Sequence, residues 1–159
     1  MRSSDTFERK EKVILKNKRA YHDFLISQTL EAGIELKGTE VKAMRQGKCS
    51  LQDAYAGFLS KKDYELWLFN MHIAEYEFGN RENHKPKRER RLLVNYREAL
   101  KMKNAVMEKG MTIIPLSVYF SGHIIKIELG YAKAKKSYDK RDSEREREHE
   151  MEMKKKYKF

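Results

Sequence analysis

The sequence predicts a mainly β fold: an OB-type closed antiparallel β-barrel with helices, followed by a basic C-terminal tail that is disordered when free. Three observations predict it. Short strand-like runs are joined as hairpins, one capped helix is inserted before the last hairpin, and past Gly130 the apolar residues fade out.

Residues 1–12 are polar and without periodicity, a flexible N-terminal arm. From Tyr21 to Leu36, Phe24, Ile26 and Leu30 fall at even spacing with Leu25 on the other face, and Gly33 suits a bend or bulge in one long strand. Gly38-Thr39 reads as a helix start and Gly47 as its stop, with Val41 and Met44 at helical spacing. Ala54–Leu59 and Tyr64–Ala74 form a hairpin across Ser60-Lys61-Lys62-Asp63. The second strand alternates Tyr64, Leu66 and Leu68 with Trp67, Phe69, Met71 and Ile73, so both of its faces are covered. Asn95 and Glu98 make a capping-box signature, and the helix after it carries Tyr96, Leu100 and Met107 on one stripe broken by Lys103, with Gly110 as stop. Thr112–Phe120 and His123–Leu129 pair across Ser121-Gly122, with Pro115 marking an edge or a bulge.

The chain thus divides into the arm (1–12), an OB-type barrel (13–132) and a tail (133–159). Between Asp139 and Glu150 no side chain is apolar, so burial cannot offset the ordering cost. The pairs Glu150–Lys154 and Glu152–Lys156, at i,i+4 with Glu first, support a helix by only ~0.2–0.5 kcal/mol each. A helix is therefore expected in the tail only against a phosphate-lined surface.

Charge narrows the function. Lys and Arg number 35 against 24 Asp and Glu, a net +11. Arg81–Arg91 holds six basic and two acidic residues, and Lys133–Phe159 eleven and seven, each +4. Such concentrations favour polyanions through counterion release. No run reaches the ~20 apolar residues of a membrane helix, and no apolar leader precedes the domain, so a cytoplasmic protein with no membrane partner is expected. A single cysteine, Cys49, excludes an internal disulfide and a thiolate metal cage. The five histidines lie apart, with neither a phosphate loop nor a nucleophile elbow, so no catalytic residue, metal or cofactor is expected. The expectation is an RNA binder rather than an enzyme, with a metal-dependent nuclease the remote alternative. His84-Lys85-Pro86-Lys87-Arg88-Glu89-Arg90-Arg91 is a basic loop beside the barrel, and Lys135-Lys136-Ser137-Tyr138-Asp139-Lys140-Arg141 interleaves an aromatic with cations. Cations grip phosphates, and a tyrosine ring stacks on an unpaired base.

Three blocks go further. They are Leu30-Glu31-Ala32-Gly33-Ile34-Glu35-Leu36-Lys37-Gly38-Thr39-Glu40-Val41-Lys42 with Gly47-Lys48 and Asp53-Ala54-Tyr55; Arg91-Leu92-Leu93-Val94-Asn95; and Gly130-Tyr131-Ala132-Lys133-Ala134-Lys135-Lys136-Ser137-Tyr138-Asp139-Lys140-Arg141. In this order they resemble the small protein B (SmpB) family, the tmRNA-binding (SsrA-binding) factors of bacterial trans-translation and ribosome rescue. Ala134 stands where the family usually has glycine, and the last residues, Ser143 to Phe159, with five Glu between Glu144 and Glu152, match the family in little beyond their alternating charge.

The resemblance implies an adaptor with no bond chemistry of its own. Its barrel binds the tRNA-like domain of tmRNA. With elongation factor Tu and GTP, the aminoacylated complex enters the A site of a stalled ribosome, where the tail lies along small-subunit rRNA in the vacant mRNA channel. Carried over residue by residue, the tmRNA contacts fall on Glu31, Leu93 and Asn95, with Asn17, Lys18 and Arg19 in the family's polar-basic stretch. The basic loop adds Lys87, Arg88, Arg90 and Arg91 from its charge, and the ribosome-facing tail residues are Lys133, Lys135, Lys136, Tyr138, Asp139, Lys140 and Arg141. Each tmRNA contact has a structural competitor: Glu31 as a surface acid, Leu93 as core, Asn95 as helix cap. A different OB-type RNA-binding module, ribosomal or tRNA-associated and without a tail function, is the alternative reading.

Overall fold

The computed structural model describes residues 12–60 and 62–156, so most of the N-terminal arm lies outside it. The first half runs β1 (Lys12–Lys16), α1 (Ala20–Asp23), β2 (Phe24–Ile34), α2 (Gly38–Arg45), β3 (Cys49–Ser50), β4 (Tyr55–Phe58), β5 (Leu66–Phe69) and β6 (His72–Ile73). After a 3-10 turn at Asn80–Glu82 come β7 (Arg90–Leu93), α3 (Tyr96–Lys109), β8 (Thr112–Ser121), β9 (Ile124–Ala134) and α4 (Ser137–Lys156).

The main sheet is antiparallel, in the order β1-β8-β4-β5-β7-β2-β9, and β9 pairs again with β8. Strands β8, β4, β5, β7, β2 and β9 therefore form a closed ring, which leaves few unpaired edges. Strand β8 is long enough to meet β4 at Ile113 and β1 further along, from Ser117 to Phe120. Leu66, Leu68, Ile113, Val118, Ile127 and Leu129 fill the ring, joined by Met44 of α2 and Met102 of α3. Each large apolar side chain buried this way contributes about 1.5–3 kcal/mol.

Two bulges shape the long strands. Register shifts between Ile26 and Gln28 of β2, and between Pro115 and Ser117 of β8. An extra residue reverses which side of the sheet every later side chain takes. Hence Ile26 packs with Ile114, Leu116 and Ala132 in a small outer cluster, whereas Leu30 and Val118 face the ring interior. The bulge in β2 is at Ser27, not at Gly33 as the sequence suggested, whereas Pro115 does sit beside one. Gly130 lies where the outer cluster crosses the sheet; a Cβ there would come 3.0 Å from both Ile26 and Leu116.

Other elements depart from the sequence reading in instructive ways. Tyr21–Asp23, read as strand, is helical, and β1 was not foreseen. Asn70 takes a positive φ of 64° and resets the alternation, so Met71 and Ile73 point into the same core as Leu66 and Leu68. In α3 the buried face is Ala99, Met102 and Lys103; Tyr96, Leu100 and Met107 face outward. Lys103 is retained inside because its ammonium donates to the Asp63 carbonyl and lies 4.5 Å from the centre of the Tyr64 ring. The tail takes helical form over Ser137–Lys156, and Lys133 and Ala134 belong to β9, paired with Leu25 and Phe24. In a regular strand Ala134 needs none of the freedom of the family's usual glycine.

Candidate nucleic-acid interface

Strand register assembles one outer face from five strands. Across β7, β2, β9, β8 and β1 the partners run Leu93–Gly33–Lys126–Tyr119–Val13. The row beside it runs Glu31–Glu128–Ser117–Lys16. Glu31 and Leu93, far apart in sequence, are thereby diagonal neighbours across β2 and β7, and Asn95 comes two residues after Leu93.

The competing roles of these three residues can now be separated. Leu93 is 47% exposed and so is not core. Glu31 is exposed on β2 and accepts a hydrogen bond from the Tyr119 hydroxyl. Burial first, and then that bond, push the Tyr119 hydroxyl well above the ordinary tyrosine range, so it remains a donor and fixes the carboxylate. Glu31 faces Glu128 across the strands, a like-charge pair that costs stability unless a donor or cation bridges it. Asn95 is indeed the N-cap of α3: its Oδ1 accepts from the Glu98 amide at 2.9 Å, and Glu98 accepts in return from the Asn95 amide at 3.4 Å. Capping occupies only Oδ1; among the described residues the Nδ2 donors have no partner.

The N-terminal basic stretch is split by the fold. Asn17 is structural: its backbone donates to Leu116 O at 2.8 Å and its Nδ2 to Pro115 O at 3.0 Å, satisfying the β8 bulge. Lys18 and Arg19 are exposed, and no side-chain partner holds either among the described residues. Lys16 and Lys18 border a groove of about 430 Å³ whose far wall is Tyr119 and Glu128, so this basic edge is continuous with the Glu31 face.

The basic loop is split as well, and here the sequence reading is corrected. Arg90 is fully buried. Its Nε donates to Glu40 at 2.5 Å, and its other nitrogens to the carbonyls of Met71, Arg88 and Pro86. Arg88 donates to the same carboxylate at 2.5 Å. These two arginines hold α2 against the ring rather than reaching for phosphate. Burial would raise the Glu40 carboxyl, but hydrogen bonds from Arg88 and the Lys37 amide, with the charge of Arg90, bring it below its ordinary range. Lys87 stays exposed, and Arg91, 42% exposed at its side chain, stands 3.5 Å from Glu65. Cys49 is half-buried and burial pushes its thiol up, as for an inert cysteine.

The tail starts tethered. Lys135 donates from its backbone to Asp23 O at 3.0 Å and from Nζ to Tyr21 O at 2.8 Å. Further along α4, Glu144 meets His22 Nε2 at 2.9 Å, while His22 Nδ1 meets Asp23 at 2.8 Å. Lys136 directly precedes α4, and Tyr138, Asp139, Lys140 and Arg141 occupy its first turns. Tyr119, Lys126, Glu128 and Lys16 escaped the sequence reading because only strand register places them beside Glu31. Among the described residues no group of acidic, histidine or cysteine side chains could hold a metal ion, and no helix is long and apolar enough to cross a membrane.

Comparison with known proteins agrees with this geometry. Residues 14–159 match the family model described as SmpB protein. The SsrA-binding protein of Carboxydothermus hydrogenoformans is 53% identical over 132 residues, covering 83% of this chain and 87% of that one. The SsrA-binding protein of Geotalea uraniireducens is 49% identical, covering 83% and 85%. A solved chain described as "tmRNA-SmpB: a journey to the center of the bacterial ribosome" matches with a TM-score of 0.65 and 44% identity, covering 79% of this chain and 86% of that one.

Proposed function

The chain belongs to the SmpB protein family, and from that premise we propose that it is the tmRNA-binding adaptor of trans-translation. The observation that carries the reading is the outer face on which strand register gathers Glu31, Leu93 and Asn95, each exposed, beside the basic edge of Lys16 and Lys18. A folded RNA is recognised by shape, by phosphate contacts and by polar groups that meet splayed bases. Lys18, Arg19 and Lys87 supply the phosphate contacts; Glu31 accepts from base or sugar donors; Asn95 donates through Nδ2 while still capping its helix. Every role given to these residues is one of binding, which is the part of an adaptor.

The tail gives the adaptor its address. Lys135, Lys136, Tyr138, Asp139, Lys140 and Arg141 enter the small-subunit decoding region, and α4 lies in the mRNA channel. A mixed-charge helix with almost no apolar face, led in by the cations Lys133, Lys135 and Lys136, is stabilised there by phosphate walls, and only where no message occupies the space. Delivery with elongation factor Tu and GTP, through the aminoacylated tmRNA, and a cytoplasmic location accompany this role.

Sequencing the RNA that co-purifies with the protein tests the first half: tmRNA should be strongly enriched over the lysate, and equal abundance would overturn the reading. Truncation before Tyr138 tests the second half. It should leave tmRNA affinity nearly intact while abolishing peptide tagging on stalled ribosomes; tagging by the truncated chain would remove the tail assignment.

A further inference from the structure

A groove of about 330 Å³ opens beside Leu93, lined by Tyr64, Arg91, Leu93, Asn95 and Glu98 among others. Tyr64 forms one wall, and Tyr96 stands against it with ring centroids 5.1 Å apart and planes at 56°. Tyr96 is 61% exposed and Tyr64 42%, although both lie beside a well-filled core. The position of Tyr64 is fixed from below, since the buried Lys103 ammonium lies under its ring and is anchored on the adjoining Asp63 carbonyl. The rings are therefore held in place without being covered. Around them stand the unpartnered Nδ2 of Asn95 and the half-exposed guanidinium of Arg91, with Arg97 exposed on the next position of α3.

We infer that this groove is a base-binding site: it takes one unpaired nucleobase of the bound RNA, stacked on the Tyr64–Tyr96 pair, with Asn95 Nδ2 and Arg91 meeting its edge or its phosphate. The site rests on the RNA-binding reading above and adds to it the kind of nucleotide recognised, one splayed out of the helical stack. Stacking on a fixed aromatic suits this role because every base has a π-face and a preset ring loses little freedom on binding. RNA is favoured over a protein partner for these tyrosines because the groove opens onto the Glu31–Leu93–Asn95 face, where Arg91, beside Glu65, and the Asn95 amide supply donors and Glu65 and Glu98 supply acceptors for a base edge. The apolar residues further along α3, Leu100 and Met107, are not required.

The test uses full-length protein and the tRNA-like domain of tmRNA, titrated over a range of salt. Tyr96→Ala and Tyr64→Ala should each weaken binding roughly 5- to 100-fold at fixed salt, the range for loss of one stacked base. Because no phosphate contact is removed, the slope of log affinity against log salt should stay the same. Tyr96→Phe should bind like the wild type, since it keeps the ring. Tyr96 is the first, exposed residue of its helix, so its variants should melt with the wild type, which separates loss of stacking from loss of fold. If wild-type protein binds the RNA tightly and both alanine variants bind equally well, the base site is overturned while the adaptor reading stands. If wild-type protein shows no preference for this RNA, it is the adaptor reading that fails. Loss of affinity in Tyr96→Phe as large as in Tyr96→Ala would also overturn stacking as the cause.

Discussion

Gly33 and Leu93 are partners across β2 and β7, and a Cβ on Gly33 would sit 3.2 Å from the Cβ of Leu93. The missing side chain of one residue is what lets the other lie flat on the outer face, 47% exposed beside Glu31. Gly33→Ala should therefore displace Leu93. Crowding costs about 1–3 kcal/mol, partly offset by the ~0.4–1 kcal/mol that alanine gains through the unfolded chain. A net loss of about 1 kcal/mol in chemical denaturation is expected, with weaker tmRNA binding; unchanged stability and affinity together would mean the contact has slack.

Asn95 is expected to serve two roles through two atoms. Asn95→Ala should lose about 1 kcal/mol of stability as well as RNA affinity. Asn95→Ser retains an Oγ that caps nearly as well but has no amide donors. It should melt close to the wild type yet bind tmRNA more weakly, and equal affinity would reduce Asn95 to a cap.

The Glu40 carboxylate, fully buried between Arg88 and Arg90, makes stability fall in acid. A carboxyl whose folded value is lowered contributes stability above its unfolded value, and that contribution is lost as pH falls through the folded one. The loss should set in below about pH 4.5. Glu40→Gln strands two arginines and should cost about 3–5 kcal/mol; it should also flatten this acid limb in denaturation curves recorded across pH.

At His22 the sign is opposite. Hydrogen bonds to Asp23 and then Glu144 raise the imidazole above its ordinary value of 6.5. The α1–α4 contact should be complete below that pH and released as pH rises through the raised value. Side-chain resonances of Glu144 followed against pH should report this, and His22→Ala should abolish the titration. Amide exchange past Lys136 should remain fast in the free protein, because a helix that buries no apolar face opens readily and one side-chain contact at Glu144 holds it little; strong protection there would mean that the tail packs on the ring.

Binding should weaken steeply with salt, with a log–log slope of roughly −4 to −6 at ~0.7–0.9 per phosphate neutralised. Lys18→Ala and Arg19→Ala should each reduce the slope by about 1. A flat dependence would contradict the basic edge altogether.

Much of this was legible in the chain. The Asn95–Glu98 capping box, the stop at Gly110, the bulge beside Pro115 and the hairpin turn at Gly122 all appear where local chemistry put them. So do the charge that points to RNA and the motifs that resemble the SmpB family. These features depend on neighbours within a few residues, which a sequence displays directly.

Register, burial and partnership were decided only by the tertiary fold. The bulge at Ser27 inverts the faces of β2, so alternation counted from Phe24 misassigns every residue beyond the bulge. Arg90 and Arg91 are adjacent cations in the sequence, yet one is sealed against Glu40 while the other borders the Leu93 groove, because consecutive strand residues point to opposite sides. Tyr96, Leu100 and Met107 make a helical stripe that looks like core, but the face that packs inward is that of Ala99 and Met102, with Lys103 at its edge. Local propensity fixes where an element begins and ends. Which of its faces meets water depends on contacts between residues tens of positions apart, and those exist only once the ring has closed.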